Sequence, residues 1–487
     1  MIQRRLHIPG VPAEVVRGLH LLQDELGLPE EFPVAALEQA AALVADPPSF
    51  SEHADRTGLG FITIDPPTSM DLDQAMHIER DGTGYVVHYA IADVGAWVEP
   101  GTPIADEAWT RGQTMYAPGA KVPLHPPALS EGAASLLADG KPRPVMLWTH
   151  RLDAEGAITG STLERAMVVN SAKLSYEEVA KRLAAGTSSE TAELLAEVGS
   201  LRVVKEVARG GINLNLPDQE IVATNGTWEL QFRTTLDVEE WNAQISLMTG
   251  IAAAHMMVDG GVGILRTLPP AEKSAVAKLR RVAASLDVDW PTELDYPDFV
   301  RSLDPSNPRE LAVIVQCTTL FRGSGYVGFH SGVPDKDLRH AAVSSLYAHT
   351  TAPLRRLVDR FVLEICHSLS AGTAVPPWVI EALGGLPAVM RETGQQANAY
   401  ERGAVNLAEA LVLADKVGEV FEAVVIDVSP RNGMGTFQLT EFAIEARIAD
   451  TDPDCVGRHM HVRLDGVDLV EGNVVFSVES VEDESAR

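Results

Sequence analysis

The chain has 487 residues, 45% of them hydrophobic and 22% charged, which is typical of a globular, soluble protein with more than one core. It has no apolar run of about 18 residues, which disfavours a membrane span, and its three scattered cysteines disfavour a disulfide framework or a structural zinc site. The net charge of −29 disfavours a nucleic-acid partner unless a local cluster of Lys and Arg offsets it. No signal peptide is visible, so we expect a cytoplasmic protein without a membrane partner.

Helices and strands are both predicted along the chain. Two short helices are expected at residues 11–27 and 34–45, either as a helix-turn-helix variant or as a helical clamp packed on the main domain. Strands follow at 61–64, 85–92, 145–152, 158–169 and 220–232, and helices at 176–184, 191–208, 239–257, 271–286, 353–370 and 378–417. Short strands at 421–428, 436–439, 443–448, 459–464 and 474–478 indicate a small OB-like barrel.

These patterns predict an α+β fold in three parts. The first is a small helical segment over residues 1–50, and the second is a large domain of mixed strands and long helices over 51–416. The third is a β-barrel with an acidic tail over 417–487.

Three aspartates follow the first predicted strand of the large domain within nine residues of its end. Asp65 follows the β-branched run 61–64, and Asp71 and Asp73 come after a Pro-Pro turn. Such side chains can converge, and carboxylates in this number cannot all stay ionised without a cation between them. Hard cations such as Mg²⁺ prefer these oxygen ligands, and phosphodiester hydrolysis often uses them. An Asp-x-Asp pair can equally be a solvated surface turn.

Six segments in the same order resemble the signature of the ribonuclease II (RNB) family of exoribonucleases. They are TIDP at 63–66 with MDLDQA at 70–75, AIADV at 90–94, YAPG at 116–119 with VPL at 122–124 and LS at 129–130, RGGI at 209–212, VEEW at 238–241, and YAHTTAPLRR at 347–356. The resemblance covers residues 59–416 and implies an RNB catalytic domain around a narrow channel, followed by an S1/OB-like barrel. It also implies 3′→5′ hydrolysis of single-stranded RNA to nucleoside 5′-monophosphates.

The resemblance implies a metal centre at the acidic segment, with Mg²⁺ as the cofactor and Mn²⁺ as the alternative. Asp65, Asp71, Asp73 and Gln74 carry over as the metal-site residues, with Asp71 and Asp73 also catalytic. The family usually has a second Asp where this chain has Gln74, which offers one neutral carbonyl oxygen in place of a carboxylate. If Gln74 lies at the metal, Gln74→Asp should lower the Mg²⁺ requirement.

The resemblance also assigns residues that bind the RNA. Tyr116 carries over as the aromatic clamp on the 3′-terminal base, and Arg355 as the catalytic arginine facing the scissile phosphate. Arg356 is expected at a different phosphate and Glu401 near the terminal nucleotide. A cationic tunnel is expected around them, to which further basic residues add: Arg280, Arg281, Arg322, Lys336 and Arg339.

Three functions remain open at this point. The first is an active exoribonuclease on single-stranded RNA. The second is a catalytically weakened RNB-like protein that binds RNA or regulates, for which Gln74 and the acidic composition are the grounds. The third is another metal-dependent hydrolase that uses the same aspartates. No protein partner is evident.

Overall fold

The computed structural model of the protein describes residues 6–7, 11–117, 120–214, 218–224, 227–233, 235–321, 323–429, 432–440, 444–449, 451–452, 455–456 and 458–481. The predicted start of a barrel strand at residue 443 and the basic residue Arg322 lie outside these ranges.

Helices and strands are mixed over the whole described chain, which confirms the α+β prediction. The helices are α1 (Ala13–Glu25), α2 (Val34–Ala45), α3 (Pro103–Arg111), α4 (Tyr176–Ala185), α5 (Glu190–Ala208), α6 (Asp237–Asp259), α7 (Lys273–Ser285), α8 (Tyr296–Ser302), α9 (Pro308–Cys317), α10 (Leu357–Ala371), α11 (Pro377–Ala382) and α12 (Leu386–Leu413). The strands are β1 (Leu6–His7), β2 (Ala54–Asp55), β3 (Phe61–Ile64), β4 (Gln74–Asp81), β5 (Gly84–Ala92), β6 (Met115–Ala117), β7 (Ala120–Val122), β8 (Arg143–Leu152), β9 (Ile158–Val168), β10 (Asn170–Leu174), β11 (Asp218–Thr224), β12 (Thr227–Arg233), β13 (Gly263–Thr267), β14 (Gly325–Phe329), β15 (Val420–Val428), β16 (Gly435–Leu439), β17 (Glu445–Ile448), β18 (His459–Asp468) and β19 (Asn473–Val481).

The two N-terminal helices pack at separate places on the large domain. Helix α1 buries Val15 and Leu19 against α12, where Gln23 donates a hydrogen bond to the Tyr400 hydroxyl at 2.8 Å. Helix α2 packs in a different cluster beside α3. These contacts favour the helical clamp over the helix-turn-helix variant.

A seven-stranded sheet in the order β10-β3-β4-β5-β8-β9-β2 forms the centre of the large domain. Its side chains alternate between two cores, because successive residues of a strand point to opposite faces. In β5, Tyr89 and Ile91 belong to the core that contains residues of α5, α6 and α10, while Ala90 and Ala92 belong to the core with α2 and α3. Both faces of the sheet are therefore covered by other parts of the domain.

Several elements differ from the sequence prediction. Strand β4 is missing from the predicted elements because histidine and charged residues interrupt its apolar alternation. Helices α3, α8 and α9 and the short strands β1, β2, β6, β7, β10, β13 and β14 are also missing from them. The predicted strand over 220–232 is the hairpin of β11 and β12. The predicted helix over 378–417 is two helices, α11 and α12, separated by Gly384 and Gly385.

The C-terminal strands form a curled five-stranded sheet in the order β17-β16-β15-β18-β19. Phe421, Phe437 and Phe476 are buried in its core. On the outer face of β15, Val424 and Ile426 join the apolar cluster that includes α7 and α9. Among the described residues, no helix combines the length and apolar composition needed to cross a bilayer.

Candidate functional site

The connection between β3 and β4, residues 65–73, presents the acidic side chains. Its anchor is Leu72, which is fully buried and whose backbone N–H donates to the Ser135 hydroxyl at 2.9 Å. Because an extended chain directs successive side chains to opposite sides, burial of Leu72 turns Asp71 and Asp73 away from that core.

Asp73 meets the segment that precedes α10. Its Oδ1 accepts the Leu354 backbone N–H at 2.7 Å, and its Oδ2 lies 3.2 Å from Arg355 Nε. The Asp73 side chain is only 4% exposed, whereas that of Arg355 is 36% exposed. Burial raises the pKa of Asp73 to about 8, although Arg355 and the Leu354 N–H act in the opposite direction. The cost of burying the ionised form of Asp73 therefore outweighs the favourable effects of Arg355 and the Leu354 N–H.

Tyr116 is brought to the same place by a backbone contact. The Thr114 N–H donates to the Arg355 carbonyl at 2.9 Å, which ties the start of β6 to the arginine segment. From β6, the Tyr116 hydroxyl donates to Asp71 Oδ2 at 2.8 Å. The ring is 37% exposed, so a face remains available for stacking.

Arg356 is held by an internal partner. Its Nε and Nη2 donate to the two carboxylate oxygens of Asp359 at 3.0 and 2.9 Å. Asp359 is fully buried and also accepts the Ala352 N–H at 2.7 Å. This bidentate pair fixes the turn that leads into α10, so part of the Arg356 guanidinium is already used within the fold.

Gln74, at the start of β4, has its amide oxygen turned toward the protein. The Tyr89 hydroxyl donates to Gln74 Oε1 at 2.6 Å, and the Ser246 hydroxyl lies 3.4 Å from the same oxygen. Tyr89 and Ser246 are 2.6 Å apart, so the three side chains join β4, β5 and α6. The oxygen is the only side-chain atom of Gln74 that could bind a cation, and it already accepts a hydrogen bond from Tyr89.

One cavity of about 1250 Å³ collects all the predicted site residues. Its lining includes Asp65, Asp71, Asp73, Gln74, Tyr116, Arg355, Arg356 and Glu401. Asp65 lies at the end of β3, and Glu401 reaches the cavity from α12. Chain segments more than 300 residues apart in sequence thus share one wall.

The cavity lining is acidic, and the expectation of a cationic tunnel is wrong for the described residues. It has eight Asp and Glu residues against four Lys and Arg residues. The four cations also have acidic neighbours: Lys121 lies 2.8 Å from Glu131 and Arg233 lies 2.7 Å from Glu239, while Arg355 and Arg356 are paired as above. The basic residues expected to add to the tunnel do not line it: Arg280, Arg281, Lys336 and Arg339.

Sequence reasoning missed several polar residues of this wall. They are Lys121 of β7, Glu131 of the short helical turn Leu129–Ala133, Glu177 of α4, Glu206 of α5 and Arg233 of β12. No local motif marks them, because each reaches the cavity through the packing of its own element. Glu239, Asn242 and Gln244 of α6 also line the cavity, and the VEEW segment at 238–241 did point to this helix.

The donors of this wall suit a hard cation that takes part of its coordination from substrate. Within the described ranges, no group of three or more His, Cys, Asp and Glu residues has the arrangement of a metal site. Mg²⁺, however, is commonly held by one or two carboxylates with water and substrate phosphate. Asp71 and Asp73 offer such carboxylates on the cavity wall.

Two family matches cover most of the chain. Residues 54–371 match the RNB domain, and residues 419–479 match the RNase II-type exonuclease C-terminal S1 domain. Ribonuclease R of Escherichia coli (strain K12) is 24% identical over 504 residues, covering 93% of this chain and 61% of that protein. Ribonuclease R of Mycoplasma genitalium is 26% identical over 324 residues, covering 63% and 43%. This chain therefore spans less than two thirds of the length of these curated relatives.

Solved structures share the fold at low identity. Mycoplasma genitalium RNase R in complex with ribose methylated single-stranded RNA superposes with a TM-score of 0.78 at 18% identity, covering 96% of this chain and 78% of that one. Yeast Ssd1, described as a pseudonuclease, superposes with a TM-score of 0.66 at 15% identity, covering 86% and 54%. The resemblance predicted from the motifs is confirmed, and the chain belongs to the RNB domain family.

Proposed function

We propose that this chain is a metal-dependent 3′→5′ exoribonuclease that hydrolyses single-stranded RNA to nucleoside 5′-monophosphates. The observation that carries the proposal is the meeting of Asp73 with Arg355, and of Asp71 with Tyr116, on one cavity wall. A carboxylate pair can hold a cation, a fixed guanidinium can stabilise phosphate charge, and an aromatic ring can stack on a terminal base.

Each residue of this wall has a role that follows from its contacts. The exposed face of Tyr116 stacks on the terminal base, which contributes about 1–3 kcal/mol without sequence preference. Arg355 stabilises charge on the scissile phosphate, because Asp73 already holds its Nε and orients the fork. Arg356, braced by Asp359, faces a second phosphate, and Glu401 contacts the terminal nucleotide from α12.

The aspartates are the proposed cation ligands. Asp65, Asp71 and Asp73 would hold Mg²⁺ or Mn²⁺ together with phosphate oxygens of the strand. Such an ion supplies positive charge and lowers the pKa of bound water. Gln74 is not carried into this set, because its amide oxygen is directed at the Tyr89 hydroxyl, which donates to it.

A labelled oligonucleotide tests the proposal. The protein is incubated with 5′-labelled single-stranded RNA, with and without Mg²⁺ or Mn²⁺, and the products are separated on a gel. A ladder that shortens from the 3′ end only with the metal supports the proposal. Asp73→Asn should abolish the ladder while RNA is still retained in a gel-shift assay. Full cleavage by that variant would refute the site assignment.

A second candidate is an RNA-binding or regulatory module with weakened catalysis. The acidic lining favours it because carboxylates repel phosphate, and the inward-turned Gln74 oxygen favours it because this oxygen is directed away from a metal in the cavity. A pseudonuclease is also among the proteins of similar fold. Retarded but uncut RNA in the same assay would identify this function.

We also propose the division into a helical segment at 1–50, an RNB catalytic domain at 51–416 and an S1/OB-like barrel at 417–487. The separate apolar core of the barrel supports the last boundary. Limited proteolysis should cut first near residues 414–419, between α12 and β15, if the barrel is a domain of its own.

A further inference from the structure

We infer that Gln74 presents an N–H donor to the sugar–phosphate backbone of the bound strand, and that it is not a metal ligand. The inference rests on the proposed RNA substrate but needs no catalysis. Its basis is the direction in which the Gln74 amide is held and the cavity that its free end faces.

The length of the contact with Tyr89 fixes the direction of the amide. The distance from the Tyr89 hydroxyl to Gln74 is 2.6 Å. Hydrogen bonds from a hydroxyl to an oxygen are commonly about 2.5–3.0 Å, whereas those from an amide nitrogen are about 2.7–3.2 Å. A tyrosine hydroxyl is protonated at neutral pH and can donate its proton to that atom. The Gln74 atom facing Tyr89 is therefore the oxygen.

The Gln74 nitrogen consequently points the other way. Within the described residues, Nε2 has no hydrogen-bond partner in the protein and is not among the buried polar atoms that lack one. Gln74 lines the cavity beside Asp71 and Asp73. Its two N–H groups thus face the space in which the strand would lie.

A donor at this position changes what the wall can bind. An amide N–H cannot coordinate a cation, but it can donate to a phosphate oxygen or to a ribose hydroxyl oxygen. Where the family usually has an acidic acceptor, this chain has a neutral donor beside the carboxylates. Ser246 and Tyr89 act as positioning residues, because their contacts hold the amide in this orientation.

Binding of RNA without divalent metal tests the inference. A short single-stranded RNA is titrated in EDTA against wild type, Gln74→Met, which removes the donor, and Gln74→Glu, which keeps the acceptor for Tyr89 but replaces the donor by a carboxylate oxygen. We expect Kd to rise about tenfold for Gln74→Met and further for Gln74→Glu. The matched control is Gln395→Met, an exposed glutamine of α12 outside the cavity lining, which should bind as wild type does.

Three further measurements distinguish the sources of the effect. An all-deoxy oligonucleotide that shows the same loss assigns the contact to phosphate, and a loss confined to RNA assigns it to the 2′-hydroxyl. Introduced into the wild type, Tyr89→Phe should weaken RNA binding. Introduced into Gln74→Met, it should cause little further loss of affinity, because the two residues act through one contact. At saturating RNA, Gln74→Met should leave the Mg²⁺ concentration for half-maximal cleavage unchanged.

Wild-type affinity in both Gln74 variants would overturn the inference, as would a several-fold higher Mg²⁺ requirement in Gln74→Met. A wild type that binds RNA without cutting it would refute the proposed function and leave this inference standing. A wild type that cuts RNA while the Gln74 variants bind it normally would support the proposed function and refute this inference. If the wild type does not bind RNA at all, the proposed function and this inference are both refuted.

Discussion

Asp73→Asn is expected to make the metal-free protein more stable while removing its activity. Asparagine has nearly the shape of aspartate, and its carbonyl can still accept the Leu354 N–H that Asp73 Oδ1 accepts at 2.7 Å. The variant cannot ionise, however, so the fold no longer has to bury a carboxylate beside the half-exposed Arg355.

The raised pKa of Asp73 determines the size and the sign of the stability change expected for Asp73→Asn. Burial moves this pKa from 3.8 to about 8, so between these values the folded state keeps a proton that the unfolded chain has lost. Stability from this group is fully present below pH 3.8 and is lost as pH rises toward about 8. Each pH unit in this window costs about 1.4 kcal/mol, or roughly 4 kcal/mol by pH 7, as an upper bound. The new amide faces the donor Nε of Arg355, so we expect a net gain of about 1–3 kcal/mol at pH 8.

Urea unfolding in EDTA at pH 4.5 and pH 8 measures this effect. The difference between Asp73→Asn and wild type should be large at pH 8 and small at pH 4.5. An equal difference at both pH values, or a variant clearly less stable at pH 8, would show that Asp73 is ionised and well paired with Arg355 in the folded protein. Gel-shift and cleavage assays on the same preparations then separate lost chemistry from lost folding.

Three other changes have defined outcomes. Tyr116→Phe keeps the stacking ring but removes the hydrogen bond to Asp71, so RNA affinity should stay within about twofold while single-turnover cleavage falls about tenfold. Gly250→Ala would bring a Cβ within 2.3 Å of the Tyr347 ring, and urea unfolding should show a loss of about 1–3 kcal/mol. Burial lowers the pKa of His150 to about 3, so stability present above pH 6.5 is lost on acidification, by about 1.4 kcal/mol per pH unit. His150→Gln should therefore flatten the decline in urea midpoint between pH 6.5 and pH 5.

Each of these three predictions can be contradicted by a specific result. Normal cleavage by Tyr116→Phe would mean that its hydroxyl does not orient Asp71. Wild-type stability of Gly250→Ala would mean that α6 can move away from the segment before α10. An unchanged acid response in His150→Gln would mean that protonated His150 is accommodated by its neighbours Ser161 and Thr249.

The sequence by itself identified the family and most of the secondary structure. Apolar alternation predicted β3, β5 and β8, and helical spacing predicted α5, α6 and α10, because these periods depend only on local geometry. The ordered motifs also named residues that the fold brings to one cavity. Helices α3, α8 and α9 escaped prediction, as did β4 and the short strands β1, β2, β6, β7, β10, β13 and β14, since polar residues or short length weakened their periodicity.

Tertiary structure alone decided the chemistry of the cavity wall. Asp73 gains its Leu354 contact across 281 residues of sequence, and Gln74 meets Ser246 across 172, so no local pattern could give the carboxyl its raised pKa or the amide its direction. Net charge likewise could not reveal that Arg355 and Arg356 already have acidic partners. The sequence shows which side chains are present, but the pKa of Asp73 and the orientation of the Gln74 amide depend on neighbours that only folding brings close.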